Sequence, residues 1–128
     1  MVSLDSSFLI DFLRGETRAV LRARDLDNSG ETRYITAPAA SEVLIAAYRI
    51  GGAYLERTKV LVDNLSMLPF DREAIHEAAR LGAELSRRGT PIGQSDLFIA
   101  AISLRHGQRL LTRDAGFLQV PGLTVESY

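Results

Sequence analysis

The sequence predicts an α/β domain on a mainly parallel sheet, and three observations carry that prediction. Short apolar stretches alternate with longer ones of helical periodicity, the pattern of strands joined by crossover helices. Capping and chain-terminating residues fall at the junctions between them. The 128 residues are 46% hydrophobic and 24% charged, enough for one core with little left for a second. Residues 1–128 are therefore expected to form a single domain.

Val2-Ser3-Leu4-Asp5 reads as a short buried strand, and Ser6 and Ser7 offer N-caps to the first helix. Phe8, Leu9, Phe12 and Leu13 recur at helical spacing until Gly15. A second helix is expected from Glu16 to Asp27, with Val20, Leu21 and Leu26 inward, before the turn cluster Asn28-Ser29-Gly30. Arg33–Thr36 is a second strand. Pro38 suits the first position of a helix, where its missing N–H costs nothing; Val43, Ala46, Ala47 and Ile50 form its apolar face. After Gly51-Gly52, residues Ala53–Leu65 are helical, with Leu55, Val60, Leu61 and Leu65 as core candidates. Ser66–Phe70 is a third strand. Asp71 caps a helix whose stripe is Ile75, Ala78, Ala79, Gly82 and Leu85, and Arg87-Arg88 complement the dipole at its end. Thr90–Gly93 is a loop. Ser95–Arg105 is a helix with a thin apolar face of Leu97, Ala100, Ala101 and Leu104. Arg109–Thr112, a turn over Asp114–Leu118 and Leu123–Glu126 complete the alternation.

Composition removes several classes of function. Fifteen basic and 16 acidic side chains leave a net charge of −1, which excludes a generic basic coat for nucleic acid. The chain has no cysteine, hence no disulfide scaffold, thiolate zinc site or cysteine nucleophile. The longest apolar runs, Val43–Tyr48 and Leu97–Ile102, are six residues each, far below the roughly 20 that span a bilayer. Met1 leads into Val2-Ser3-Leu4 without the basic and apolar regions of a signal peptide. A cytoplasmic protein with no membrane partner is expected.

Four acids interrupt segments that otherwise read as buried. Asp5 ends the first strand, Glu42 stands inside Ala39–Ile45, Asp96 precedes Leu97–Ile102, and Asp114 follows Leu110-Leu111-Thr112-Arg113. Ligands of parallel sheets gather at the C-terminal ends of strands, near the point where strand order reverses; Asp5 and Asp114 are placed for that. A carboxylate beside a core is costly unless paired or metal-bound. Two carboxylates about 4 Å apart repel by ~4 kcal/mol at an effective dielectric constant of 20, so a cluster of them calls for a cation. Oxygen ligands without His or Cys favour Mg²⁺ or Mn²⁺, and such a site suits phosphodiester hydrolysis.

Each acid also has a plain structural reading. Asp5, Asp96 and Asp114 can cap turns or helices, and Glu42 can complement a helix dipole. Arg87, Arg88, Arg113, His76 and His106 read as solvated surface. Other chemistries lack their parts: Gly93-Gln94-Ser95-Asp96-Leu97 is no nucleophile elbow, and no phosphate loop or G-x-G-x-x-G occurs.

Leu4-Asp5-Ser6-Ser7-Phe8-Leu9-Ile10, Ser41-Glu42-Val43, Ile92–Ala101 and Leu110-Leu111-Thr112-Arg113-Asp114 together resemble the motifs of PIN-domain ribonucleases, and best the VapC-type toxins of toxin–antitoxin pairs. The likeness covers essentially the whole chain in motif order and spacing. It implies a three-layer α/β/α fold with a mainly parallel central sheet, usually dimeric, and Mg²⁺- or Mn²⁺-dependent cleavage of RNA. Carried over by position, Asp5, Glu42, Asp96 and Asp114 are the catalytic, metal-holding quartet, with Ser6 and Thr112 in support. Many members carry a further acid just before the third, where this chain has Gln94 and Ser95; the fourth position varies in the family. The resulting expectation is an endoribonuclease toxin acting on RNA as a homodimer and neutralised by a VapB-type antitoxin. An RNA-processing enzyme, a DNA nuclease or phosphatase using the same acids, and an inactive PIN-like binding module stay open as alternatives.

Overall fold

The computed structural model describes residues 1–128. Five strands and six helices alternate: β1 (Val2–Leu4), α1 (Ser6–Leu13), α2 (Thr17–Ser29), β2 (Arg33–Thr36), α3 (Ala37–Ile50), α4 (Gly52–Asp63), β3 (Ser66–Leu68), α5 (Arg72–Arg87), α6 (Gln94–Arg105), β4 (Arg109–Leu111) and β5 (Val125–Glu126). A 3-10 turn, Ala115–Gln119, separates the last two strands.

All strand pairs are parallel, in the order β3-β2-β1-β4-β5. Val2 faces Arg33 on one side and Arg109 on the other, which fixes the register of the centre. The chain builds outward from β1 to β3, then returns to start β4 on the opposite flank. Strand order therefore reverses between β1 and β4, and right-handed crossovers in the two directions place helices on both faces. Val2, Ser3 and Leu4 are all buried; because their side chains alternate, both faces of the central strand are covered. This is the expected three-layer α/β/α arrangement.

The main core joins Val2, Leu4, Ile35, Leu110 and Leu111 of the sheet to Phe8, Leu9, Val43, Leu85 and Ile99 of the helices. Five helical faces differ from the sequence reading. In α2, Ala19 and Leu26 point inward while Leu21 is exposed. In α3 the buried residues are Ala39, Ala40, Val43 and Ala47, and Ile50 lies outside at the helix end. Along α5 the stripe is Ala74, Ala78, Leu81 and Leu85; Ile75 and Ala79 are exposed, one position round the cylinder. Small alanines fill these faces because neighbouring elements approach closely, so large side chains are displaced to the rim.

Helix α6 departs most from expectation. Instead of one thin apolar face it buries five consecutive residues, Ile99 to Ser103. It runs through the interior, which removes the periodicity that marks a surface helix. Gly82 of α5 permits the approach: a Cβ there would lie 2.8 Å from a Leu97 methyl. His106, expected at the surface, is half-buried and its Nε2 has no partner. Val60 of α4 is exposed and Thr58 and Val62 take the inner positions. β2 has its predicted bounds and the other four strands are shorter than predicted: Asp5, Pro69, Phe70, Thr112, Leu123 and Thr124 lie just beyond their ends.

Candidate active site

The four acids come from four elements and meet at the C-terminal edge of the sheet. Asp5 is the residue between β1 and α1, and its carboxylate makes no capping bond to that helix. It is buried. Its Oδ2 accepts hydrogen bonds from Thr112 Oγ1 at 2.6 Å and Ser7 Oγ at 3.0 Å, whereas Oδ1 is buried without a partner. Burial raises the Asp5 pKa, the two hydroxyls oppose that rise, and the charge of Asp114 adds to it.

Glu42 lies in the second turn of α3, beyond the first turn where the dipole acts most strongly. The helix is capped instead by Thr36, whose Oγ1 accepts from Ala39 N–H at 3.3 Å, with Pro38 one residue inside the first position. Ser95 of α6 donates to Glu42 Oε1 at 2.6 Å, and Ser6 of α1 donates to Oε2 at 3.4 Å. Three helices thus converge on one carboxylate.

Asp96 occupies the first turn of α6, whose cap is Gly93 with no side-chain bond. Its pKa is pushed up to about 6, first by desolvation, then by the charges of Asp114, Asp5 and Glu42, and by a hydrogen bond with Asp114. Asp96 therefore feels the other three acids. Asp114 is the exposed member. One of its oxygens caps the 3-10 turn, accepting from Gly116 N–H at 2.9 Å, and its own N–H donates to Thr112 Oγ1 at 3.0 Å. The capping reading of Asp114 holds beside its place in the cluster, since the second oxygen is left over.

Ten ion pairs neutralise acids elsewhere, and none includes a member of this quartet. The side chains as they stand do not close a cage of three or more ligands. Their charges are coupled all the same, because charges interact well beyond ligand distance. The charges of Asp5, Glu42 and Asp114 all act on Asp96, and Asp114 also hydrogen-bonds it, so the structure brings the four acids near one another. Three features fit a hard cation: oxygen donors only, no compensating positive charge among them, and the buried unpartnered Oδ1 of Asp5.

Residues 2–123 match the PIN domain family. The chain belongs to the PIN-domain family. Among its relatives, ribonuclease VapC1 of Rickettsia felis is 29% identical over 95% of this chain and 92% of that protein. VapC ribonuclease Y4jK of Sinorhizobium fredii is 30% identical over 98% and 95%. The PIN fold is equally plain in three dimensions. The DNA-bound VapBC structure from Salmonella typhimurium gives a TM-score of 0.80 at 25% identity, covering 99% of this chain and 98% of that one. DNA-bound VapBC2 of Rickettsia felis gives 0.83 at 19%, with the same coverage.

Within this PIN domain the sequence reading missed three residues near the acids. Ser7, read as a cap, lies inside α1 and bonds Asp5. Ser95 holds Glu42. Asp11 of α1 is buried and accepts from Tyr128 OH at 2.6 Å. A serine in a first turn looks the same in sequence whether it caps a helix or tethers a carboxylate. Asp11 does carry a signal: it interrupts Phe8-Leu9-Ile10 and Phe12-Leu13 as sharply as the four acids interrupt theirs.

Proposed function

We propose that the chain is a metal-dependent endoribonuclease, the toxin of a toxin–antitoxin pair, with residues 1–128 acting as one nuclease domain. The observation that carries this reading is the unpaired acidic quartet at the strand-order reversal of a fold whose relatives, matched along nearly their whole length, are VapC ribonucleases. Asp5 and Asp96 are assigned as primary ligands of Mg²⁺ or Mn²⁺, and Glu42 and Asp114 complete the set. When bound, such an ion supplies neutralising charge at the scissile phosphate and acidifies an attacking water.

The residues divide the remaining work. Thr112 and Ser7 pin one oxygen of Asp5 and leave Oδ1 directed at the site. Ser95 and Ser6 hold both oxygens of Glu42, which fixes the carboxylate where it would complete the set and help orient the attacking water. Ligation would require the charged form of Asp96, so a bound cation would oppose the rise in its pKa. Products carrying a 5′-phosphate and a 3′-hydroxyl are expected.

The cognate partner is a VapB-type antitoxin, as in the VapBC assemblies whose toxin fold this chain shares. A homodimer in the cytoplasm completes the proposal. Phe8, Leu9, Ala100 and Ala101 are buried in the core, and Ile10, Phe12 and Leu13 pack partly against it; Ile45, Tyr48 and Val60 on α3 and α4 are among the exposed apolar residues. No helix is long and apolar enough to cross a membrane.

The deciding experiment incubates purified protein with mixed single-stranded RNAs and matching DNAs, with Mg²⁺, Mn²⁺ or chelator. Cleavage of RNA that chelator abolishes is expected. Cleavage that persists in chelator, or is confined to DNA, contradicts the reading.

A further inference from the structure

Asp11 is a buried acid that the quartet does not use. Its side chain is 10% exposed, yet it stands on α1 within one turn of Ser7. Its Oδ2 accepts from Tyr128 OH and lies 3.4 Å from Nε of Arg113. Burying a carboxylate is costly, and an ion pair whose arginine is 61% exposed adds little to stability. Stability alone therefore gives no reason for the pairing.

Placement does. Arg113 lies between Thr112, which holds Asp5, and Asp114; its own N–H donates to Ser7 Oγ at 3.4 Å. Backbone and side chain are thus both anchored to α1 beside the acids. Asp11 engages only the Nε edge, and neither terminal nitrogen of Arg113 has a partner in the protein. Those nitrogens form the planar pair of donors that suits a phosphate. Beside them is a cavity of ≈ 150 Å³ among whose seven lining residues are Thr112, Arg113, Leu118 and Asp114, the exposed acid of the quartet. It falls below the roughly 300–1,000 Å³ of pockets that engulf whole small ligands, so it takes part of a nucleotide whose remainder stays on the surface. Leu118 is 70% exposed, an apolar surface beside a guanidinium plane of the kind on which an unstacked base stacks.

We propose that Arg113, aimed by Asp11, is a phosphate-holding arm of the acidic site, and that the adjoining cavity seats a neighbouring nucleotide of single-stranded RNA. The inference rests on the nuclease reading and adds a binding residue, Arg113, and a positioning residue, Asp11. Its test is the steady-state cleavage of short mixed-sequence RNA at several KCl concentrations by wild type, Arg113→Gln, Arg113→Lys and Asp11→Asn. Arg113→Gln keeps a donor for Asp11 but loses the charge. It should raise KM about tenfold with little change in kcat, and reduce the slope of log KM against log salt by about 0.7, one phosphate contact on a single strand. Arg113→Lys should restore the slope but only part of the KM, because an ammonium lacks the planar pair. Asp11→Asn should raise KM less, with the slope retained. Melting temperatures report folding separately. If wild type cleaves while Arg113→Gln keeps its KM and salt slope, or loses activity only in step with its melting temperature, the arm is wrong and the nuclease stands. Wild type that leaves RNA intact overturns both.

Discussion

At the scale of single residues, the acids differ in what surrounds them, so their losses should differ. Asp5→Asn and Asp96→Asn keep shape and remove charge from the two best-placed ligands. Each should slow RNA cleavage at least ~100-fold, the scale of losing one electrostatic stabiliser. Asp114→Asn should cost less, since one of its oxygens is committed to Gly116; small, equal losses at all four positions would point to structural acids instead. Titration gives a second check. The Asp96 pKa is raised from 3.8 to about 6, so the folded chain holds this proton more tightly than the unfolded one. Protonated Asp96 favours folding, and that contribution is lost as pH rises from about 4 through 6. In chelator, urea midpoints of wild type should therefore fall relative to Asp96→Asn across that interval, and a constant difference would refute the coupling. The quartet was legible in sequence because a charge inside an apolar run stands out. Ser7 and Ser95 were not, because a serine in a first turn gives no sign of a distant partner; Asp11 interrupts its apolar run as the quartet does, but its partner Tyr128 lies 117 positions away, so its role does not show in sequence.

At the scale of elements, the approach of α5 to α6 sets where Asp96 stands. The 2.8 Å separation between a Cβ at Gly82 and the Leu97 methyl leaves no room for an added side chain until Leu97 moves. Leu97 follows Asp96 directly, so strain at this contact is delivered next to the acidic site. Gly82→Ala should be tolerated by a rotation of the Leu97 tip. Gly82→Val should cost about 1–3 kcal/mol, the usual range for overpacking, and reduce cleavage beyond what the lost stability explains. Denaturation midpoints and rates of both variants check this; equal behaviour of alanine and valine would show the contact to be slack. The same packing explains what periodicity missed. Helix α6 is buried through Ile99–Ser103, so no polar face marks its orientation. In α5, Ile75 drew the predicted stripe toward itself, while Ala74 and Leu81 make the packed face. Alternation of elements, caps such as Asp71, whose carboxylate accepts from Ala74 N–H at 2.9 Å, and the bounds of β2 are legible in the sequence, because they depend on local chemistry.

At the scale of the whole molecule, the 3-2-1-4-5 order of the sheet brings together acids separated by up to 109 positions, from Asp5 to Asp114. Sequence alternation implied parallel strands but not their order, because order depends on which crossovers pack on which face and leaves no local mark in the chain. Bringing the charges together places repulsion in the folded state, and a bound cation offsets it. The most direct test of the central claim is the melting temperature of wild type and Asp96→Asn at pH 7.5, in chelator, in excess Mg²⁺ or Mn²⁺, and in monovalent salt of matched ionic strength. A cation that binds only the folded chain adds about 2.7 kcal/mol at a hundredfold excess over its Kd, or about 10 °C for a chain of this size. Wild type should rise by that order with the divalent ions and much less with salt, while Asp96→Asn should start higher in chelator and respond weakly. A variant that melts below wild type in chelator, yet gains as much from the divalent ion, would show that these acids do not form a site.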